Sequence, residues 1–212
     1  LTSVFIPAGI FLGGLVTKYF GEALGWRGLI AVGCIPIILL AWARIIPESP
    51  RFLQSKGRED EAKAAYAWAI FTSKPRKNIH SNENGIKARV NNIYSIGDYF
   101  FIDYSLYNAT KIKYDISEVR IKLTDKKELK ATNSQTIELT PVYSLSSVRS
   151  FKKTYRNVLV LDKLTFPEEK VLKLEISEEQ ISGRVITLDI NYKDMLHADG
   201  VSEQMVSYLP VF

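Results

Sequence analysis

The stretch NIYSIGDYFFIDYSLYN, residues 92–108, decides the fold class of this chain. Every second residue from Phe100 to Leu106 is apolar, and a period of two is typical of a strand with one buried face. The Gly97-Asp98 pair interrupts the apolar pattern and marks a turn. This part of the chain therefore predicts β-structure.

The same alternation recurs in short segments farther along the chain. Turn-forming residues separate these segments, for example Asp125-Lys126, Pro141 and Pro167. Six or seven short strands between residues 85 and 199 predict an all-β antiparallel sandwich of the immunoglobulin-like kind. The apolar positions that carry the pattern are Val119, Ile121, Leu123, Ile137, Leu139, Val158, Val160, Leu172, Leu174, Ile176, Ile186, Leu188, Ile190 and Tyr192.

The first part of the chain has a different character. Two runs, residues 1–17 and 28–43, contain no charged residue. A helix needs roughly 20 apolar residues to cross about 30 Å of hydrocarbon, and each run reaches that length if the basic residues at its ends snorkel. The sequence predicts a two-helix transmembrane hairpin that contacts the membrane through residues 1–46, followed by a short amphipathic helix that starts near Glu61.

Basic residues predict the orientation of this hairpin. Five Lys or Arg residues lie between residues 44 and 63, against two in the loop between the apolar runs. Because cytoplasmic flanks of membrane helices are enriched in Lys and Arg, the bias places the chain after Arg44 in the cytoplasm.

Composition excludes several classes of function. With 28 Lys and Arg against 23 Asp and Glu, the net charge of +5 is spread over the whole chain and does not indicate a nucleic-acid partner. Cys34 is the single cysteine, which excludes a disulfide framework. His80 and His197 are far apart, so we expect no metal site and no cofactor. Without a nucleophile–base arrangement or a glycine-rich phosphate loop, we expect a protein that is not an enzyme.

Three polar positions leave alternatives open. Asp103 and Asp189 lie within predicted strands, where they are either a buried acid–base pair or two carboxylates that face outward. The sequence Asn108-Ala109-Thr110 matches a glycosylation acceptor and equally fits a turn.

The sequence Pro47-Glu48-Ser49-Pro50-Arg51-Phe52-Leu53 closely resembles the end of the sixth helix in major facilitator superfamily transporters. The resemblance covers residues 1–68. It implies helices five and six plus the start of the central loop of a proton-coupled sugar or aromatic-acid carrier, with a gating motif at Pro47, Glu48, Ser49, Pro50 and Arg51. Glu48 and Arg51 are three residues apart, so they form either an ion pair that latches the inner gate or a solvated pair worth under about 1 kcal/mol.

The segments NIYSIGDYFFIDYSLYNAT (92–110), PVYSL (141–145) and QISGR (180–184) resemble the TraN family of Bacteroides-type conjugative transposons. The resemblance spans residues 85–199 and covers the C-terminal part of that family. It implies a non-enzymatic structural component of a conjugative, type IV secretion-like apparatus. Its partners would be other proteins of the apparatus, and the β-domain would lie in the periplasm or cell envelope.

Tyrosines are the candidate contact residues of such a module, because they supply rigid amphipathic area at interfaces. The alternative is that half of them pack in the core with their hydroxyls at the rim. The candidates are Tyr94, Tyr99, Tyr107 and Tyr143, with Tyr104 and Tyr114 also in the same pattern.

The two resemblances conflict, because one places the β-domain in the cytoplasm and the other in the periplasm. We therefore expect a natural, artificial or misassembled chimera with four segments. One alternative function is a transporter fragment, and another is a membrane-tethered β-sandwich that acts as a binding module. The segments are the hairpin with its helix (1–72), a linker or junction (73–84), the TraN-like sandwich (85–199) and a tail of unclear origin (200–212).

Overall fold

A computed structural model of the chain describes residues 50–126, 136–180 and 183–200, together with isolated positions between residues 13 and 34. Residues Glu48–Leu209 form one compact unit, and Leu1–Pro47 with Pro210–Phe212 form a second. The described positions between 13 and 31 are helical, and most of the predicted hairpin lies outside the described residues. In the part of the chain that the structure describes, no helix combines the length and apolar character that a bilayer span requires.

Strands dominate the described part of the larger unit. They are β1 (Ile79–Glu83), β2 (Ile86–Ile96), β3 (Tyr99–Asn108), β4 (Tyr114–Asp125), β5 (Ile137–Leu139), β6 (Tyr143–Ser144), β7 (Ser150–Phe151), β8 (Thr154–Asp162), β9 (Lys170–Glu178) and β10 (Val185–Asn191). The helices are α1 (Pro50–Ser55), α2 (Glu59–Thr72) and α3 (Tyr192–Leu196).

The strands form two antiparallel sheets. Sheet 1 has the order β1-β2-β3-β8-β6, and sheet 2 has the order β10-β9-β4-β5, with β7 paired to the start of β4. One hydrophobic core lies between them, since inward side chains of sheet 1, such as Val90 and Ile102, cluster with Leu174 and Leu188 of sheet 2. Burying each side chain of this size stabilises the fold by about 1.5–3 kcal/mol.

An ion pair and a tyrosine close one end of sheet 2. Arg184 donates from Nε and Nη2 to the Glu178 carboxylate at 2.9 and 2.6 Å, and its guanidinium lies 5.0 Å from the centre of the Tyr114 ring. The Tyr114 hydroxyl lies 3.0 Å from the carbonyl oxygen of Ile176 and 2.9 Å from that of Arg184. Burial, followed by the nearby Glu178 charge, raises the pKa of Tyr114 to about 12.

Helix α2 begins with three acidic residues, Glu59, Asp60 and Glu61, which favour a helix N-terminus electrostatically. An alanine-rich run of good helix formers follows. The helix ends at Thr72, and Ser73 caps it, since its backbone N–H and hydroxyl both donate to the Ile70 carbonyl. The following Pro75 cannot continue the helix.

The antiparallel β prediction is confirmed, although the described residues between 85 and 199 form nine strands, β2 to β10, where six or seven were expected. The segments predicted around Phe100, Ile121, Ile137, Val158, Leu174 and Leu188 are β3, β4, β5, β8, β9 and β10.

Two segments differ from the sequence expectation. Residues 79–83, placed in the predicted linker, form β1, because Asn84 and Gly85 (φ 51° and 76°) make a two-residue turn that pairs β1 with β2. Tyr192, expected to extend the last strand, begins α3 instead. The cause is a capping box, in which the side chain of Asn191 and that of Asp194 each accept a backbone hydrogen bond.

Candidate functional site

Helix α2 covers part of the outer face of sheet 1, the face that points away from the core. Tyr66 and Ile70 of α2 cluster with Phe101 of β3 and Val160 of β8, all of them buried. The Tyr66 and Phe101 rings meet edge to face with their centres 6.1 Å apart. The rest of this face, towards β1, is not covered by α2 and contains a groove.

A buried carboxylate marks the boundary between the covered and open parts. The Asp103 side chain is 0% exposed and receives two hydrogen bonds from Arg156, at 2.9 Å from Nε and 2.7 Å from Nη2. The side-chain amides of Asn91 and Asn92 each donate to the same carboxylate at 3.0 Å. Both asparagines reach it because the β2–β3 register shifts between Val90 and Asn92.

This polar network also fixes the end of α2. Asn92 donates to the Ser73 hydroxyl at 3.2 Å, and Arg156 donates to the Ser73 carbonyl at 3.2 Å. The Arg156 guanidinium lies 5.0 Å from the centre of the Phe71 ring. The network therefore joins α2, β2, β3 and β8 at one point.

The groove has a volume of about 830 Å³ and crosses β1, β2, β3 and β8. Phe71 and Tyr107 contribute aromatic surface to the groove, whereas Ala88, Leu106 and Tyr155 lie beneath it and are buried in the core between the sheets. A concave site of this size, apolar with a few polar groups, is typical of ligand and peptide pockets.

The charges that line the groove are positive. Lys87, Arg89 and Arg156 line it together with His80, and none of the described residues that line it is acidic. Arg156 is paired with Asp103, and Arg89 donates to the Lys77 carbonyl at 2.8 Å. Lys87 is exposed and forms no ion pair with any described residue.

The four candidate tyrosines have different surroundings. Tyr94 is 0% exposed within the cluster under α2, and Tyr143 packs partly buried against the same cluster, so burial raises the pKa of both hydroxyls. Tyr99 is half-buried and donates to Glu59 at 3.1 Å. Tyr107 is 45% exposed and lines the groove. Tyr104 and Tyr114 lie in the core.

The gating motif is described only in part, since Pro47, Glu48 and Ser49 lie outside the described residues. Pro50 is buried at the start of α1, and Arg51 is exposed. Burial raises the pKa of the Tyr66 hydroxyl, although a hydrogen bond and the positive charge of Arg51 act in the opposite direction. Arg51 therefore contacts α2 within the same compact unit.

The remaining polar candidates are not brought together. Asp103 lies on sheet 1 in the network described above, whereas Asp189 is exposed on sheet 2. The Asn108 side chain is buried, and its Oδ1 accepts from the backbone and hydroxyl of Thr110, which is the turn alternative. No group of three or more potential metal ligands occurs among the residues that the structure describes.

Sequence reasoning missed the groove. Its signal is the alternation Ile86-Lys87-Ala88-Arg89-Val90, in which the apolar residues face the core and both basic residues share the outer face. The turn residues Asn84-Gly85 just before it would have identified the hairpin that brings β1 beside these cations.

Comparisons with known proteins divide the chain into two overlapping regions. The family described as "Domain of unknown function (DUF4138)" matches residues 60–200, and the family described as "Sugar (and other) transporter" matches residues 1–101. Residues 60–101, which include all of α2 except Glu59 and all of β2, lie in both matches.

Individual relatives are similar to a short part of this chain. Facilitated trehalose transporter Tret1 of Apis mellifera ligustica is 42% identical over 69 residues, which is 32% of this chain and 13% of that protein. Membrane transporter D1 of Leishmania donovani is 34% identical over 70 residues, 30% of this chain and 13% of that protein. Human solute carrier family 2, facilitated glucose transporter member 6, is 42% identical over 57 residues, which is 26% of this chain and 11% of that protein. The chain thus spans only 11–13% of these three proteins.

Proposed function

The chain belongs to the family described as "Domain of unknown function (DUF4138)", and we propose that its two-sheet domain is a non-enzymatic assembly module of a conjugative transfer apparatus. The conjugative apparatus is proposed because residues 85–199 resemble the TraN family in sequence. The shared core and antiparallel order of the sheets support the immunoglobulin-like sandwich expected of such a module.

The observation that carries this proposal is the groove on sheet 1. A rigid sheet presents exposed Tyr107 next to Arg89 and Arg156, and aromatic side chains and arginine are enriched at protein interfaces. The buried network around Asp103 holds the strands that form it, so a partner would meet a preformed surface. A preformed surface lowers the ordering cost of association.

A photo-crosslinking experiment tests this function. A photoreactive phenylalanine derivative is placed at Tyr107 in one variant and at Val185 in another, since the two positions are similarly exposed (45% and 43%) and lie on different sheets. In a mating donor strain, we expect crosslinks to envelope proteins of the apparatus from position 107 and few from position 185. Deletion of the gene is expected to lower transfer frequency, and unchanged transfer without such crosslinks contradicts the proposal.

We further propose that the N-terminal region is a fragment of a sugar or polyol carrier. The transporter match over residues 1–101 and the relatives described above support this proposal. A carrier of that superfamily alternates access between two halves of six helices, and this chain covers a small part of that length. We therefore expect no uptake of labelled glucose or trehalose by vesicles that contain this chain alone.

Labelling of a single cysteine separates the possible locations of the β-domain. Cys34 is replaced by serine, and Ser147, which is exposed, is replaced by cysteine. A membrane-impermeant maleimide that reacts once the outer membrane is opened supports the periplasmic assembly module. A reaction that requires opening of the inner membrane contradicts it and supports a cytoplasmic binding module tethered by the hairpin.

A further inference from the structure

We propose that the groove on sheet 1 binds a short acidic, partly apolar segment of a partner protein, with a carboxylate of that segment paired to Lys87. This inference rests on the proposed function, because it names the chemistry of the partner that the module would hold.

Strand register aligns two rows of side chains across the groove. One row contains Asn82, Lys87, Tyr107 and Thr154, each directly opposite the next on β1, β2, β3 and β8. With about 4.8 Å between neighbouring strands, four strands span about 14 Å. An extended peptide rises about 3.3 Å per residue, so a segment of about four or five residues fits along a row.

The second row lies beside the first and contains two arginines. It contains His80, Arg89, Ser105 and Arg156 in the same register. Arg156 keeps its pair with buried Asp103, and Arg89 keeps its bonds to the Lys77 carbonyl, so both are held in place. Lys87 is the lining Lys or Arg without a bond to any described residue, and it can therefore pair with an incoming carboxylate without breaking a contact.

Charge complementarity identifies the partner as acidic. The described lining holds three Lys or Arg residues and no Asp or Glu, so a basic or neutral segment gains no ion pair here. The apolar surface from the Phe71 and Tyr107 rings favours apolar side chains between the carboxylates.

A protein segment fits these features better than a nucleic acid does. Nucleic acids bind through many phosphate contacts along a broad basic surface. Here two of the three lining Lys or Arg residues already have partners within the protein. One available ammonium group beside an apolar surface suits one or two carboxylates of a largely apolar peptide.

Fluorescence anisotropy with the full chain in detergent tests this inference. The probe is a labelled five-residue peptide of alternating Glu and Phe, and the reference peptide has Gln in place of Glu. We expect the acidic peptide to bind at least tenfold more tightly than the Gln peptide. We also expect Lys87→Glu to weaken binding of the acidic peptide at least tenfold.

Lys163→Glu is the matched control, because it makes the same charge change at an exposed position that does not line the groove. It is expected to change the dissociation constant less than twofold. Far-ultraviolet circular dichroism of both variants establishes that they fold. If Lys87→Gln also weakens binding while the Gln peptide is unaffected by either variant, the ion pair with Lys87 is supported.

Two results overturn the inference. Equal affinity for the Glu and Gln peptides would show that the carboxylates of the peptide do not contribute to binding. Tighter binding of a single-stranded oligonucleotide than of the acidic peptide would identify a nucleic acid as the partner. If crosslinks from position 107 to the apparatus persist in either case, the assembly function stands and only the acidic chemistry fails. If those crosslinks are also absent, both proposals fail.

Discussion

Substitution of Asp103 by alanine tests the buried network that joins α2 to sheet 1. The change leaves two asparagine amides and the Arg156 guanidinium without the acceptor that they share. Removing one partner of a buried ion pair costs about 3–5 kcal/mol, since the remaining charge is uncompensated. Arg156 is 27% exposed while Asp103 is fully buried, so water can relieve part of this cost, and we expect the lower end of the range.

Urea unfolding followed by circular dichroism measures the loss. We expect the free energy of unfolding of Asp103→Ala to fall by about 3 kcal/mol. For a domain of this size, that loss corresponds to a decrease in Tm of about 6–12 °C. Asp189→Ala is the matched control, because that carboxylate is exposed in a strand of sheet 2 and forms no ion pair with any described residue. Its effect is expected to stay within about 0.5 kcal/mol.

A double-mutant cycle with Arg156→Ala identifies the cause. If the two residues act as a pair, the double variant loses clearly less stability than the sum of the single variants, with a coupling energy of at least about 1 kcal/mol. A loss below about 1 kcal/mol in Asp103→Ala, or strict additivity in the cycle, would refute the reasoning.

Three further predictions concern the rest of the fold. The hydrogen bonds from Arg184 hold the pKa of Glu178 below its ordinary value of 4.5, so stability is lost as pH falls below that value, and acid unfolding of Glu178→Gln should show a weaker pH dependence. A Cβ at Gly85 would lie 2.5 Å from Cγ2 of Thr110 at a φ of 76°, so Gly85→Ala should lower the unfolding free energy in urea by at least about 1 kcal/mol. Removing the hydroxyl in Tyr114→Phe should cost about 1 kcal/mol in the same assay. Because the raised pKa of Tyr114 stabilises the fold below pH 10 and that contribution is lost between 10 and about 12, alkaline absorbance titration should show this tyrosine ionising late.

Alternation of apolar residues predicted most of the strands because each has one face in the common core. The pattern around Leu174 and Leu188 is an example, since both are buried between the sheets. Strand β1 was not predictable in the same way, because Ile79 is its only large apolar residue and its pairing depends on the Asn84-Gly85 turn.

The candidate site was less predictable than the strands. Asp103 alternates with core residues and therefore resembles an outward carboxylate, although the bulge in β2 and Arg156 bury it. Tyr94 occupies the same outer face and is covered by α2, a contact between segments that sequence periodicity cannot reveal. Tyr107 lies on the same face of β3, six residues beyond Phe101, and stays exposed.

The packing of α2 on sheet 1 affects where this protein can be divided. A cut at residues 73–84, where the composition changes, would remove the helix and leave Tyr94, Phe101, Val158 and Val160 facing water as one apolar patch. Patches of this kind promote self-association. Shortened versions intended for crystallisation should therefore begin before Pro50. If a version that begins at residue 80 precipitates, the cause is the apolar face that α2 no longer covers, and not instability of the two-sheet core.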